Sequence, residues 1–559
     1  MNKQTTPLSV RLIAYAISLL LAFLGLLILL FLIALGSELT MPFVARDRPS
    51  GNGLYDHSDT LGWKIKPNLN LYLESKRGEP LSNTPYFSTT PEGYRSTPAI
   101  DSNKRTSIVL GDSFAQGYYL SDQETIAWQL ANKMDSNIIN TGVGAYSSDQ
   151  ELLMLERTIR NDTEWVILLL CANDISLNME NESWGLHKPR FQTRYGKVDF
   201  EKLNKPVKKN QNVESTEAKF NSEKTTICCA PTFQDQLSYS TDKFKNYLSL
   251  WKSPSRLAQQ IREDYKWLIP FKSQYSYILP PSFYQNPLSM QTEWAVTLQI
   301  IERMKAVSEK HGAKFLAVYI PEIAQVLNRD SLGEKFLPQQ YFMHECEIRK
   351  INCLDPSAVF SKNAGSVFVQ DDGHLSPFGA QLISSEIVTA MYQGNLSIVP
   401  ASSSNLIKFS TIAPNQVIEF GKGKIGEQFL INVGQFLNEG WGWTYPEPWG
   451  AWSEGNRAKI VLPLPNPLTQ SLHIRVQALT SAKHPYQDIE ILVNKEPLHS
   501  MRVTKTSNTE IVIPLNHIQK NDRFITVEFR IPKPVTPQEI GLGPDNRQIA
   551  LGIISAQFQ

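Results

Sequence analysis

The sequence is short of net charge. Its 55 lysines and arginines face 54 aspartates and glutamates, which leaves +1 at neutral pH. A nucleic-acid-binding chain would show a basic excess, so nothing argues for that partner. Cysteine is scarce too, with five in 559 residues. No pair among Cys171, Cys228, Cys229, Cys346 and Cys353 has the spacing of a zinc site, and no metal or cofactor is called for. Cys171 ends an apolar run and reads as a buried thiol. Cys346 and Cys353 could close a small loop in an oxidising compartment, whereas the adjacent Cys228 and Cys229 cannot easily bond to each other.

Long apolar runs are also missing, with one exception. Residues 12–35 read LIAYAISLLLAFLGLLILLFLIAL without a charge, enough to cross a bilayer as a helix. The following GSELTMPF offers no convincing cleavage site, so the run reads as an uncleaved signal anchor. This divides the chain into a cytoplasmic tail and transmembrane helix (1–36), a polar extracytoplasmic lead-in (37–100), an α/β domain (101–395) and a β-sandwich (401–559). The expected location is a single-pass membrane protein with its bulk outside the cytoplasm, periplasmic if the source is Gram-negative.

Within 101–395, the short apolar runs 107–110, 137–139, 165–170 and 315–320 alternate with helical patterns over 126–135, 150–160 and 294–311. Continuous apolar strands separated by helices predict a parallel sheet covered on both faces. The pattern is interrupted over about 176–287, where residues 188–224 are rich in Lys, Asn, Glu and Thr. That stretch reads as a solvated insertion or hairpin arm, or as a lid beside the site. Beyond 401 the short β-rich segments HIRVQAL, IEILVN, TEIVIPL, FITVEFRI and IALGII predict an antiparallel sandwich.

Four motifs follow one another on this framework: GDSF (111–114), NTGVGAY (140–146), CAND (171–174) and DDGH (371–374). Ester chemistry needs an activated hydroxyl, a base and donors for the oxyanion. Ser113 follows a strand at its carboxyl end, where α/β sites form. His374 precedes a helix opened by Ser376 and Pro377, and Asp371 lies close enough in a tight turn to orient the imidazole. Asp372 competes with it for that role. The oxyanion donors are expected from the backbone of Ser113, the backbone at Ala145 and the amide of Asn173. An α/β-hydrolase is disfavoured because its nucleophile elbow is GxSxG.

In this order the motifs resemble the SGNH, or GDSL, hydrolase superfamily over about residues 104–395. The resemblance implies a flavodoxin-like three-layer fold and a catalytic set of Ser113, His374 and Asp371. The family's second-block glycine falls on Ala145 here, a departure that a backbone donor tolerates. In the sandwich, WGWTYPEPWGAW (441–452) gathers Trp441, Trp443, Tyr445, Trp449 and Trp452, which are candidate glycan contacts or core packing. It resembles a β-sandwich module found beside envelope-glycan enzymes. LGWKIKPN (61–68) looks like the lead-in of some membrane-anchored SGNH proteins. The expected activity is a membrane-tethered serine esterase removing O-acyl groups, acetyl above all, from an envelope or secreted polysaccharide. The rivals are an O-acyltransferase using the same triad with a membrane acyl-donor partner, an inactive glycan-binding assembly factor, and a phospholipase.

Overall fold

The run TEWVILLL has no polar face, so as a strand it must be covered on both sides. It forms β3 (Thr163–Leu170) of a five-stranded parallel sheet. The others are β1 (Thr106–Gly111), β2 (Asn137–Asn140), β4 (Lys314–Tyr319) and β5 (Cys353–Leu354), in the order β5-β4-β3-β1-β2. Alternate residues of β3 enter two separate cores. Val166, Leu168 and Leu170 pack with α3 (Ser148–Thr158) and α5 (Gln291–Lys310). Ile167 and Leu169 pack with α2 (Ile126–Met134) and α7 (Pro377–Gln393). The short helices α1 (Ser113–Gln116) and α4 (Ala172–Leu177) leave the carboxyl ends of β1 and β3. Helix α6 (Leu337–Arg349) and β5 were not expected, and a disulfide between Cys346 and Cys353 joins them.

The structure, a computed structural model, describes residues 54–72, 85–206, 275–328, 336–369, 372–393, 412–434, 440–504, 508–518 and 522–559, with residues 18, 25–29, 31–32, 245 and 247 besides. The apolar run 12–35 therefore falls largely outside the described residues, as do Cys228 and Cys229. Residues 25–29 and 31–32 are helical, and Leu26, Ile28, Leu29 and Leu32 are about half exposed. Among the described residues no helix is long and apolar enough to cross a membrane. Of the interrupted region, two hairpins are described, 182–187 and 190–204.

The stretch expected as a polar lead-in is woven into the α/β unit instead. Leu61, Trp63 and Ile65 alternate inward and are buried. Trp63 Nε1 donates to the Gly144 carbonyl at 3.0 Å, and the Tyr146 hydroxyl donates back to the Trp63 carbonyl. Arg95 is fully buried, pairing with Asp122 at 2.6 Å and donating to the carbonyls of Tyr86, Gln116 and Leu120.

The C-terminal part is all-antiparallel. Its strands are β6 (Val417–Glu419), β7 (Trp441–Trp443), β8 (Ala451–Gly455), β9 (Arg457–Pro463), β10 (Ser471–Ala478), β11 (Gln487–Val493), β12 (Glu496–Val503), β13 (Thr509–Pro514), β14 (Phe524–Arg530) and β15 (Ile549–Phe558). One sheet runs β7-β8-β15-β10-β13 with β6 also on β15, and the other runs β9-β14-β11-β12. Inward residues of both sheets share one core. This unit is seated on the α/β unit through Lys495–Glu293 at 2.6 Å, Lys459 Nζ to the Ser289 carbonyl at 2.9 Å, and Arg523–Glu345.

Removing a partner from a buried ion pair strands the other charge and costs about 3–5 kcal/mol. Arg95→Leu is expected to destabilise the α/β unit by that amount in urea unfolding followed by circular dichroism. A loss below about 1 kcal/mol, the level of a surface pair, would contradict the structural role given to Arg95.

Candidate active site

The site grows from two glycines and a sheet edge. Gly111 ends β1 at φ +149°, and a Cβ there would lie 2.8 Å from the Ala115 methyl. Only glycine lets the chain turn at once into α1, which opens with Ser113. A Cβ on Gly142 would lie 2.3 Å from the Gln116 nitrogen, so the 140–146 loop rests directly on α1.

The His374 Nε2 lies 2.8 Å from Ser113 Oγ, and its Nδ1 lies 2.5 Å from Asp372 Oδ1. Among the described residues the carboxylate on the imidazole is therefore Asp372; Asp371, expected in that role, lies outside them. Asp372 Oδ1 also accepts the His374 backbone N–H at 2.9 Å. This i to i+2 closure is the local turn that aspartate favours. The Tyr119 hydroxyl donates to Asp372 Oδ2 at 3.0 Å. Burial alone would raise the Asp372 carboxyl, but the hydrogen bond and charge of His374, the His374 N–H and the Tyr119 hydroxyl outweigh it and hold it down to about 2. Rings of Phe114, Tyr118 and Tyr119 surround the imidazole at 5.4, 4.7 and 5.7 Å between centroids. The sequence reading passed over all three. Helix α7 follows, with Ser376 Oγ accepting the Gly379 N–H at 3.0 Å, the cap expected from Ser-Pro.

The three expected donors lie on segments that follow the carboxyl ends of β1, β2 and β3. Asn173 Nδ2 donates one hydrogen to Asp112 Oδ2 at 3.0 Å, and the amide carries a second. The backbone N–H of Gly144 is taken by Gln116 Oε1 at 2.5 Å, and that of Gly142 by Asn140 Oδ1 at 3.0 Å. The N–H groups of Ser113 and Ala145 meet no acceptor among the described residues. Ala145 sits at φ +65°, a left-handed conformation that glycine adopts without strain. That conformation gives a physical reason for the glycine usual at this position in the resembling family. An arrangement of this kind can activate a serine hydroxyl and stabilise a tetrahedral oxyanion.

Cys171 is buried, and burial with the neighbouring carboxylates Asp112, Asp174 and Glu151 pushes its thiol well above the usual range, so it is no rival nucleophile. Among the described residues no group of three or more His, Cys, Asp or Glu is arranged to hold a metal ion. Just past β4, Glu322 is buried, accepting from the Tyr284 hydroxyl and from the Ile278 N–H at 2.9 Å. Burial lifts its carboxyl to about 7 against those two hydrogen bonds. The next residue, Ile323, packs against Gly373 between Asp372 and His374.

The aromatic run of the sandwich divides sharply. Trp443 is fully buried with its Nε1 on the Lys459 carbonyl at 2.8 Å, and Trp441 is buried beneath Arg457 at 4.1 Å. Trp443 belongs to the sandwich core and Trp441 to the cluster shared with the parallel sheet, so neither ring is open to a glycan. Tyr445 is 75% exposed. Trp449 and Trp452 are half-buried, 5.2 Å apart, with Trp449 Nε1 on Glu447 at 2.8 Å.

A domain of unknown function (DUF7024) matches residues 428–559. No curated protein matches the chain. Among solved structures, a family two carbohydrate esterase from Clostridium thermocellum in complex with cellohexaose aligns at 7% identity and TM-score 0.14, over 26% of this chain and 31% of that one. The chain thus spans about a third of that esterase. A carbohydrate-binding module, CBM36, in complex with calcium and xylotriose aligns at 9% identity and TM-score 0.14, over 21% and 82%. An alpha/beta hydrolase from the metagenome of Lake Arreo, Spain, aligns at 10% identity and TM-score 0.25, over 53% and 97%.

Two pH predictions follow from these carboxyls. The folded pKa of Asp372 lies below the unfolded value of about 3.9, so its contribution to stability is present above that value and lost as pH falls through about 2. Asp372→Asn is expected to remove that acid-side loss from the unfolding profile and to lower any serine-dependent turnover by about 10³- to 10⁴-fold. Unchanged turnover in a steady-state assay would exclude Asp372 as the orienting group. For Glu322 the sign is reversed. Its folded pKa of about 7 exceeds the unfolded value of about 4.3, so its contribution is full at low pH and disappears as pH rises through 7. Melting temperatures of Glu322→Gln between pH 5 and 8 should vary less than those of the parent, and parallel curves would refute this.

Proposed function

We propose that the protein is a serine esterase of the SGNH kind that removes O-acetyl groups from an envelope or secreted polysaccharide, held on the outer side of a cell membrane by residues 12–35. The observation that carries this reading is the continuous hydrogen-bonded series Ser113–His374–Asp372. In the proposed reaction Ser113 Oγ attacks the acyl carbonyl carbon while His374 Nε2 takes its proton. Asp372 stabilises the imidazolium, and the N–H groups of Ser113 and Ala145 with the Asn173 amide receive the oxyanion. The intermediate collapses as His374 returns the proton to the departing sugar oxygen, leaving an acyl-serine. Water, deprotonated by His374, then releases acetate and free Ser113.

The acylated partner is read as a glycan because Tyr445, Trp449 and Trp452 gather on the sandwich beside Glu447, which is exposed. Ring faces and a carboxylate suit sugar faces and hydroxyls. The membrane tether is supported by the uncharged apolar run and by the half-exposed Leu26, Ile28, Leu29 and Leu32, and the outer location by the Cys346–Cys353 disulfide. A transferase is the second reading, favoured by the three aromatic rings around His374, which limit the approach of water. In that case a sugar hydroxyl replaces water in the second half-reaction, and a membrane acyl donor supplies Ser113.

The test gives residues 37–559 and its Ser113→Ala counterpart an acetyl ester, with and without a hydroxyl-rich oligosaccharide, and follows the acetyl group by mass spectrometry. Acetate released by the parent at a rate at least about 10³-fold above the variant supports the esterase. Acetyl on the oligosaccharide identifies the transferase. Equal behaviour of the two proteins refutes Ser113 as the nucleophile.

A further inference from the structure

Trp184 breaks two local rules at once. It stands at φ +53°, ahead of Gly185 at φ +77°, in the two-residue turn of the 182–187 hairpin. Turns of this kind favour Asn-Gly or Asp-Gly, and a bulky residue in the left-handed region is strained. The indole is also 71% exposed. No ring, cation or hydrogen-bonding group meets it among the described residues, and a Cβ built on Gly185 would find nothing within 4 Å. Among the described residues the ring therefore stands in the open, at a cost to the fold that none of their contacts offsets.

An aromatic–glycine turn of the same kind occurs again among the described residues, and there the aromatic has a use. In the 190–204 hairpin, Tyr195 (φ +54°) precedes Gly196 (φ +78°). Its ring stacks on His517 at 4.0 Å and its carbonyl accepts from Asn494 at 3.0 Å. An aromatic at this strained turn position thus serves as a contact to the sandwich in one hairpin, and in the other it faces solvent.

Its support points toward the site. Ser183 Oγ donates to the Ala145 carbonyl at 2.8 Å, which fixes the tip to the loop of the oxyanion donor. The far strand is held as firmly, since a Cβ on Gly62 would strike the His187 carbonyl at 2.4 Å. Next along the chain, Lys188 is buried on Asp149 at 2.5 Å. The base of the hairpin carries a polar pair, His187 Nδ1 with Glu182 Oε1 at 3.2 Å, both partly open. A rigid hairpin thus presents an indole face and two hydrogen-bonding groups beside the oxyanion loop.

We propose that Trp184 is a sugar-stacking subsite of the ester site, taking one face of a pyranose ring of the acylated polysaccharide. This rests on the esterase reading for the identity of the occupant. An indole offers the apolar C–H face of a pyranose a large flat surface at low entropy cost, and the partly exposed Glu182–His187 pair on the same hairpin supplies groups able to bond hydroxyls.

The informative variant is Trp184→Asn, because asparagine suits the turn and so removes the ring without endangering the fold. Binding of partly acetylated xylo-, gluco- and manno-oligosaccharides is measured by calorimetry on the full chain carrying Ser113→Ala, with and without Trp184→Asn. Turnover is measured in the Ser113 background on the same oligosaccharides and on p-nitrophenyl acetate. The expected result is affinity for the preferred oligosaccharide weakened about tenfold, with kcat/KM on it falling about tenfold relative to kcat/KM on the small ester, and the loss lying in KM. Trp184→Phe should restore part of it. Equal affinity and an equal ratio in the two backgrounds would overturn the subsite, as would failure of every oligosaccharide to bind. Should the parent cleave no ester while Trp184→Asn still weakens binding, the esterase reading falls and the subsite stands.

Discussion

One buried carboxylate, Asp112, fastens the ends of two neighbouring strands. Its Oδ1 accepts the Phe114 N–H at 3.0 Å, which holds the start of α1, and its Oδ2 accepts the Asn173 amide at 3.0 Å, which holds the start of α4. Because β1 and β3 are adjacent in the sheet, a single side chain sets the nucleophile against the amide donor. Beneath it lie three more buried carboxyls, Asp149, Glu151 and Asp174, with Lys188 on Asp149. Burial pushes Asp112, Glu151 and Asp174 upward, and for Glu151 and Asp174 the neighbouring carboxylates add to it. Both causes are the cost of placing charges, and like charges close together, in low dielectric.

Much of this was legible in the sequence because it depends on local pattern. The runs at 107–110, 137–139, 165–170 and 315–320 became strands within one or two residues of those bounds, since an apolar run flanked by helices has little choice but a buried parallel strand. Ser113 and His374 were found through their motifs. The choice between Asp371 and Asp372 was not legible, because both precede the histidine by no more than three residues. The i to i+2 closure that aspartate makes with a backbone N–H is the signal that favours Asp372. The lead-in was misread as polar, although Leu61, Trp63 and Ile65 carry the period of two that marks a half-buried strand. In the run 441–452 the number of aromatics was plain, but the side each one faces is decided by tertiary pairing with β8 and by contact with β9. Trp184 escaped notice because Ser-Trp-Gly reads as an ordinary turn until its backbone angle and exposure are known.

The seating of the sandwich differs from a chain of beads. Glu293 is buried, and although burial would raise its carboxyl, Lys495 and Lys459 bring it below the usual range. Arg523 reaches Glu345, which Arg349 also holds. Trp441, Val461 and Phe524 of the sandwich belong to the same apolar cluster as the face of the parallel sheet. Charges that would be stranded on separation, together with a shared core, make the two units one body.

Ser113 and His374 meet across 261 residues of sequence. The base is delivered by α7, which packs on α2, with Ser384 Oγ on the Ile126 carbonyl at 3.4 Å. Strands β1 to β3 can pair while the nucleophile still lacks its base, and contacts of such long range form slowly because their loops must close first. A chain emerging from its amino end therefore passes through a stage in which the sheet edge and donors exist but the imidazole is absent. Reactivity toward a serine-directed phosphonate would mark the docking of α7 onto the sheet, a clock for folding that is set by topology.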